Sequence, residues 1–276
     1  MADDYIMGRE TYTPSLKAMN VKGTQKLLNI FFIVDISGSM RFEGRIDAVN
    51  EAFTRMIPAL RQVQLDCRSE FELRIAIMTF DEDARWIVAP TPILEYTHEE
   101  IECSPWVTFF SRAFQTLGEK LTRNEYMANT GKIAQPYIMF MTDGYPTEED
   151  NYEAELDNLL ENGWFNVAQR FAVLIGKESI NSPEAKAAVE KFVKDPREGI
   201  INAVDAAAIV AEVQAKTVHT IANMTQHKVD VTDDDNNSGD FGTGGFDDGG
   251  FGNIGFDDGD FGGFGDFGGF DDSSFI

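Results

Sequence analysis

The sequence predicts an α/β fold: a doubly wound, mostly parallel sheet with one antiparallel edge strand, helices on both faces, and a disordered C-terminal tail. Three observations carry this. Short runs dense in Ile, Val, Leu, Phe and Met recur over roughly the first 228 residues, and such runs mark strands buried on both faces, as parallel strands are. Longer segments with apolar residues at helical spacing lie between them, the alternation expected of βαβ units. Beyond about residue 228 the composition collapses to Gly, Asp and Phe, which cannot build a core.

Taken in order, residues 1–23 are polar and without a clear period, so they are expected to form a loose arm or an edge cover. Strands are expected at 28–35, 71–80, 85–88, 137–142 and 167–175, with a weaker one at 199–203. The short piece ARWIV follows an acidic turn at Asp81, Glu82 and Asp83 and reads as the antiparallel edge hairpin that mixed sheets often carry; Asp81 and Asp83 read as a solvated turn, with acceptors supporting a nearby site as the alternative. Amphipathic helices are expected at 47–65, 109–126, 152–161, 183–193 and 205–224. Asp47 is placed to cap the first of these, and Ser182 followed by Pro183 puts a capping hydroxyl ahead of a proline at the first helical position. The predicted organisation is thus an arm at 1–23, an α/β domain at 24–228 and a tail at 229–276.

Charge narrows the functional classes. The net charge is −24, and 13 aspartates with no lysine or arginine follow from Asp230 to the end, so more than half of it sits in the tail. Binding to nucleic acid through phosphate contacts is therefore not expected of either part; cations or basic protein surfaces are better partners. The cysteines, Cys67 and Cys103, cannot form a multi-bridge framework and read as buried or reduced thiols. The N-terminal MADDYIMGRE lacks the apolar core of a signal peptide, and no apolar run is long enough to span a bilayer. A soluble, cytoplasmic protein with no membrane association is the expectation.

The tail repeats phenylalanine at 241, 246, 251, 256 and 261, then at 264, 267, 270 and 275, with GFDDG twice and GFDDS once. Glycine loses much backbone entropy on ordering and almost no aliphatic partners surround the rings. Such a tail is expected to be disordered in isolation. It could act as a solubilising tether, or dock its rings weakly and multivalently on a basic, apolar-lined groove.

The chemistry concentrates in IFFIVDISGSM, residues 30–40. An apolar strand ends in Asp35, and Ser37 and Ser39 follow with Gly38 between them. The strand's carboxyl end is the edge at which open α/β sheets bind ligands. One carboxylate and two hydroxyls are hard oxygen donors of low total charge, suited to a divalent cation that keeps some of its water. Other loops at that edge must complete such a site. Asp143 ends a second apolar strand, YIMFMT, within MTDGYPT; two acids brought together there would repel unless a cation lay between them. Thr108 precedes the helix FFSRAFQTLGEKL and can present its hydroxyl from that helix's N-terminus. Ser104 and Thr116 compete with it, though Thr116 lies deep in the expected helix. Alone, Asp35, Ser37 and Ser39 could instead be ordinary turn caps. His98, His219 and His227 show no zinc spacing or catalytic partner and read as surface or satisfied residues.

DISGSM matches the D-x-S-x-S motif and so resembles von Willebrand factor A (VWA) domains with a metal-ion-dependent adhesion site. In that family a Thr and an Asp from two further loops complete the site, which the resemblance carries to Thr108 and Asp143. The chain order matches, with the motif first, Thr before a helix, then Asp-Gly after a strand. DGYPTEED is further similar to the DG-x-PT pattern of bacterial VWA proteins associated with tellurium resistance. One departure is CSPWVTFF, where bacterial members often place glycines before the metal-site Thr; Pro105 and Trp106 would stiffen the loop and crowd the rim. The resemblance covers roughly residues 27–224.

It implies a VWA fold, a Mg2+ site (Mn2+ or Ca2+ being alternatives) and a protein partner whose Asp or Glu completes the coordination. Bacterial relatives are often encoded with a kinase and a metal-dependent phosphatase, which suggests a signalling or stress-response assembly. No nucleophile with a placed base is visible, and the turn after the first strand is not a phosphate-cradling loop. The expectation is a binding module and not an enzyme, with a metal-assisted phosphohydrolase as the alternative.

Overall fold

The computed structural model describes residues 25–129, 131–144, 146–147 and 149–226. The predicted arm and tail lie outside the described residues. Strand β1, Lys26–Asp35, is buried along all but its first residue because it is flanked on both sides. The sheet runs in the order β3-β2-β1-β4-β5-β6, with β2 at Phe71–Phe80, β3 at Ala84–Pro92, β4 at Tyr137–Thr142, β5 at Gln169–Ile175 and β6 at Ile200–Ala203. All neighbours pair parallel except β2 with β3. Strand order therefore reverses between β1 and β4, which is where a doubly wound sheet opens a crevice at its carboxyl edge.

Residues alternate across β1 as a two-faced strand requires. Leu28, Ile30, Phe32 and Val34 join α1 (Arg45–Asp66) and α8 (Ala206–Gln226) in one core, through residues such as Phe53, Leu60, Val213 and Ile221. Leu27, Phe31 and Ile33 face the other core, covered by α2 (Phe110–Lys120), α3 (Tyr152–Leu160) and α6 (Pro183–Phe192). Edge-to-face and tilted rings knit this second layer: Phe110 meets Phe140 at 5.0 Å and 82°, and Phe114 meets Phe140 at 5.5 Å. Such pairs contribute about 0.5–1.5 kcal/mol beyond burial. They anchor the start of α2, two residues after Thr108.

Several boundaries differ from expectation. Helix α1 starts at Arg45 and not at Asp47, because Glu43 (φ 55°) and Gly44 (φ 66°) both turn left-handed and redirect the chain two residues early. Asp47 lies inside the first turn, and no side chain caps this helix. Helix α2 stops at Lys120, short of 126, where the Asn162 amide donates to the Leu121 carbonyl at 3.0 Å and closes its end. Ser182 caps α6 as expected, accepting from Ala185 N at 3.1 Å. Unforeseen are a 3-10 stretch at Gly38–Gly44 and three short helices, α4 (Gly163–Val167), α5 (Gly176–Asn181) and α7 (Pro196–Gly199). Cys67 and Cys103 are free thiols. No helix among the described residues is long and apolar enough to cross a membrane.

Candidate metal centre

Parallel pairing of Val34 with Met141 brings Asp35 and Thr142, each one step further on, side by side at the crevice. Asp35 is fully buried. One carboxylate oxygen accepts from Ser37 N at 2.8 Å, an Asx-type turn that lifts the chain off the sheet; the other accepts from the Thr142 hydroxyl at 2.6 Å. Burial, and then the charge of Asp143, push the Asp35 carboxyl up from 3.8 to about 7, against the pull of those hydrogen bonds. Burial also raises Asp143, opposed by Ser39 and Arg45.

The expected residues converge. The Ser37 and Ser39 hydroxyls stand 3.1 Å apart, and Ser39 donates to Asp143 Oδ1 at 2.7 Å. Thr108 reaches the same spot: a Cβ added to Gly144 would lie 3.5 Å from Thr108 Oγ1 and 3.9 Å from Asp35 Oδ2, so the hydroxyl and the carboxylate face a space that glycine leaves open. Ser104 is occupied otherwise, its N–H bonded to the Ile36 carbonyl at 2.7 Å and its hydroxyl accepting from Trp106 N at 3.3 Å. Thr116 sits inside α2.

The residues after Thr108 are tied to Asp81 and to Asp150, and Asp150 was not foreseen. Phe109 N donates to the Asp81 carbonyl at 2.9 Å, and Asp150 accepts from Phe110 N at 2.6 Å and Ser111 N at 3.2 Å. Asp150 thus caps α2 from 40 residues away, tying the chain after DGYPT to the Thr108 loop. Asp81, read as part of a solvated turn, is instead buried; it accepts from Asp83 N at 3.0 Å and pairs with Arg85. The Gly38 N–H bonds the Trp106 carbonyl at 3.0 Å, so the CSPWVT loop is strapped to the DISGSM turn. Arg45 was missed as well. Its guanidinium donates to Asp143 Oδ2 at 2.6 Å and to Glu178 at 3.0 Å. Nothing local in GRID announces an inward-turned arginine. His98 bonds Tyr96 and Asn50 at 3.0 Å each, the satisfied residue expected; His219 pairs with Asn223 at 2.9 Å, and His227 lies outside the described residues.

Among the described residues no cluster of three or more His, Cys, Asp or Glu side chains is placed to hold a metal ion. The fit at Asp35 and Asp143 therefore rests on a mixed set of two carboxylates and the hydroxyls of Ser37, Ser39 and Thr108. It passes: the donors are all hard oxygens, and the two raised carboxyls are what a cation would relieve. Ser37, Ser39, Thr108 and Asp143 line a cleft of about 770 Å³, with Asp35 buried behind them. Phe42 (65% exposed), Trp106 (47%) and Val107 (54%) stand on its rim, three of the seven large apolar side chains exposed among the described residues.

No protein-family model matches the sequence, and no curated protein matches it. Solved structures do match. The pilus adhesin SpaC from Lactobacillus rhamnosus GG superposes with a TM-score of 0.55 at 13% identity over 74% of this chain and 31% of that one. Proximal thread matrix protein 1 from the mussel byssus, in a structure with a zinc-occupied MIDAS motif, gives 0.51 at 13% identity over 72% and 48%. A von Willebrand factor type A protein from Catenulispora acidiphila gives 0.50 at 15% over 71% and 43%. This chain thus spans less than half the length of each. At such identities the likeness is one of fold, and the fold is that of von Willebrand factor type A domains.

Proposed function

We propose that this chain is a metal-dependent protein-binding module. The observation that carries the reading is the convergence of Asp35, Asp143, Ser37, Ser39 and Thr108 on one point at the strand-order switch, beneath an apolar rim. Asp35 and Asp143 would hold a divalent cation, Mg2+ before Mn2+ or Ca2+, with the three hydroxyls donating directly or through water. When bound, the cation supplies a Lewis-acidic position able to accept an outside oxygen. Hydroxyl donors withdraw little of its charge, so an Asp or Glu side chain of a partner is the fitting ligand. Phe42, Trp106 and Val107 would then bury apolar surface beside that carboxylate, which suits a protein partner better than a small solute.

The zinc-occupied MIDAS motif of the mussel protein supports a cation at this place in the fold. A cytoplasmic signalling or stress-response setting, with a kinase and phosphatase as neighbours, rests only on the tellurium-resistance resemblance of DGYPTEED. The test is affinity capture with and without chelator, with Asp35→Ala as control; a partner set indifferent to both removes the cation from the mechanism. Reproducible turnover of phosphoesters with Mg2+ or Mn2+, lost in Asp35→Ala, would replace the binding reading by a hydrolase.

A further inference from the structure

Arg45 holds a position that a simple two-carboxylate site does not require. It opens α1 immediately after the left-handed pair Glu43 and Gly44, and its side chain is only 9% exposed. Nη1 donates to Asp143 Oδ2 at 2.6 Å, while Nη2 reaches Glu178 at 3.0 Å and Glu43 at 3.3 Å. Space for the guanidinium comes from Gly176, whose φ is 81° and whose missing Cβ would lie 2.9 Å from Nη2. The Asp143 carboxylate is thereby divided: Oδ2 belongs to Arg45, and Oδ1 faces Ser39 at 2.7 Å.

We propose that Arg45 is a positioning residue that weakens and tunes the cation site, sharing Asp143 with the cation and linking it to Glu178 in the first turn of α5. The inference rests on the binding reading given above. A cation on the Oδ1 side of Asp143 is separated from the guanidinium by little more than one carboxylate. At that range like charges interact strongly even at the screened dielectric of a protein rim. Arg45 also orients Asp143 with a charge-assisted hydrogen bond, so Oδ1 stays aimed at Ser39. Glu178 and Glu43, both largely exposed, draw part of the guanidinium's charge outward. Anything that engages Glu178 therefore strengthens the hold of Arg45 on Asp143 and loosens the cation, and by linkage the reverse holds.

The test is calorimetric titration of the full chain with Mg2+, and separately Mn2+, counting only the binding lost in Asp35→Ala, since the acidic tail will also take up cations. Arg45→Gln is expected to tighten Mg2+ at least tenfold, and Arg45→Lys, which keeps the charge, to stay within threefold of wild type. Glu178→Gln, at an exposed position that leaves folding intact, is expected to weaken Mg2+ about two- to fivefold. Arg45→Gln affinity equal to or weaker than wild type overturns the proposal, as does Arg45→Lys tightening as much as Arg45→Gln. Should Arg45→Gln fail to fold, an unchanged affinity in Glu178→Gln overturns it. A wild-type chain that binds neither cation is a different result: it overturns the binding reading itself.

Discussion

Replacing Asp35 by Asn should stabilise the cation-free protein near neutral pH, although Asp35 is the residue on which the candidate site depends. The wild-type carboxyl is fully buried and sits at about 7 in the folded state against 3.8 when exposed. A group whose folded value is raised contributes stability that is complete below its unfolded value and is lost as pH rises through the folded one. Between about pH 4 and 7, each pH unit costs up to ~1.4 kcal/mol, so charging Asp35 costs up to about 4 kcal/mol at pH 7.5. Asparagine keeps an oxygen for Ser37 N but presents an amide to Thr142, a mismatch of about 1 kcal/mol. The net gain for Asp35→Asn is then roughly 2–3 kcal/mol at pH 7.5, shrinking to about zero near pH 4.5. Urea denaturation in chelator at the two pH values measures both. Adding Mg2+ should stabilise wild type and leave the variant unchanged. The reasoning is refuted if Asp35→Asn loses more than about 1 kcal/mol at pH 7.5, or gains equally at both pH values.

Three further outcomes follow from the same geometry. Protons and cation compete for Asp35, so Mg2+ affinity should fall about tenfold per pH unit below about 7; a flat calorimetric profile from pH 5.5 to 8 would contradict this. Asp150→Ala removes the cap on Phe110 N and Ser111 N and should cost about 1–2 kcal/mol in urea melts. It should also weaken Mg2+ binding several-fold by loosening Thr108, and an unaltered cation affinity would show that Thr108 is held some other way. Trp106→Ala should lower affinity for a captured partner about tenfold or more with Mg2+ affinity unchanged, whereas equal loss of both would place Trp106 in support of the cation site and not at the interface.

Much of this site was legible in the chain because its pieces have local signatures. DISGSM announces itself as an apolar strand closed by an acid and two hydroxyls, and YIMFMTDG repeats the device. Thr108 was legible from its place ahead of a helix, with only Ser104 and Thr116 to set aside. Trp106 was read as stiffening its loop and crowding the rim; its backbone straps the turn at Gly38, and its ring, 47% exposed, lines that rim. Asp47 failed as a cap because φ angles of 55° and 66° at Glu43 and Gly44 start the helix earlier than its apolar period indicates.

Periodicity and turn chemistry are local properties of the backbone, so the alternating elements, the buried strands and the order in which the candidate-site residues arrive were already present in the chain. Only tertiary structure decided who holds those residues. Thr142 reaches Asp35 across 107 residues, Arg45 reaches Asp143 across 98, and Asp150 reaches α2 across 40. No window of sequence contains both partners of such a bond. The sheet creates the first two of these contacts by placing the ends of β1 and β4 side by side at the switch in strand order, where burial then raises both carboxyls.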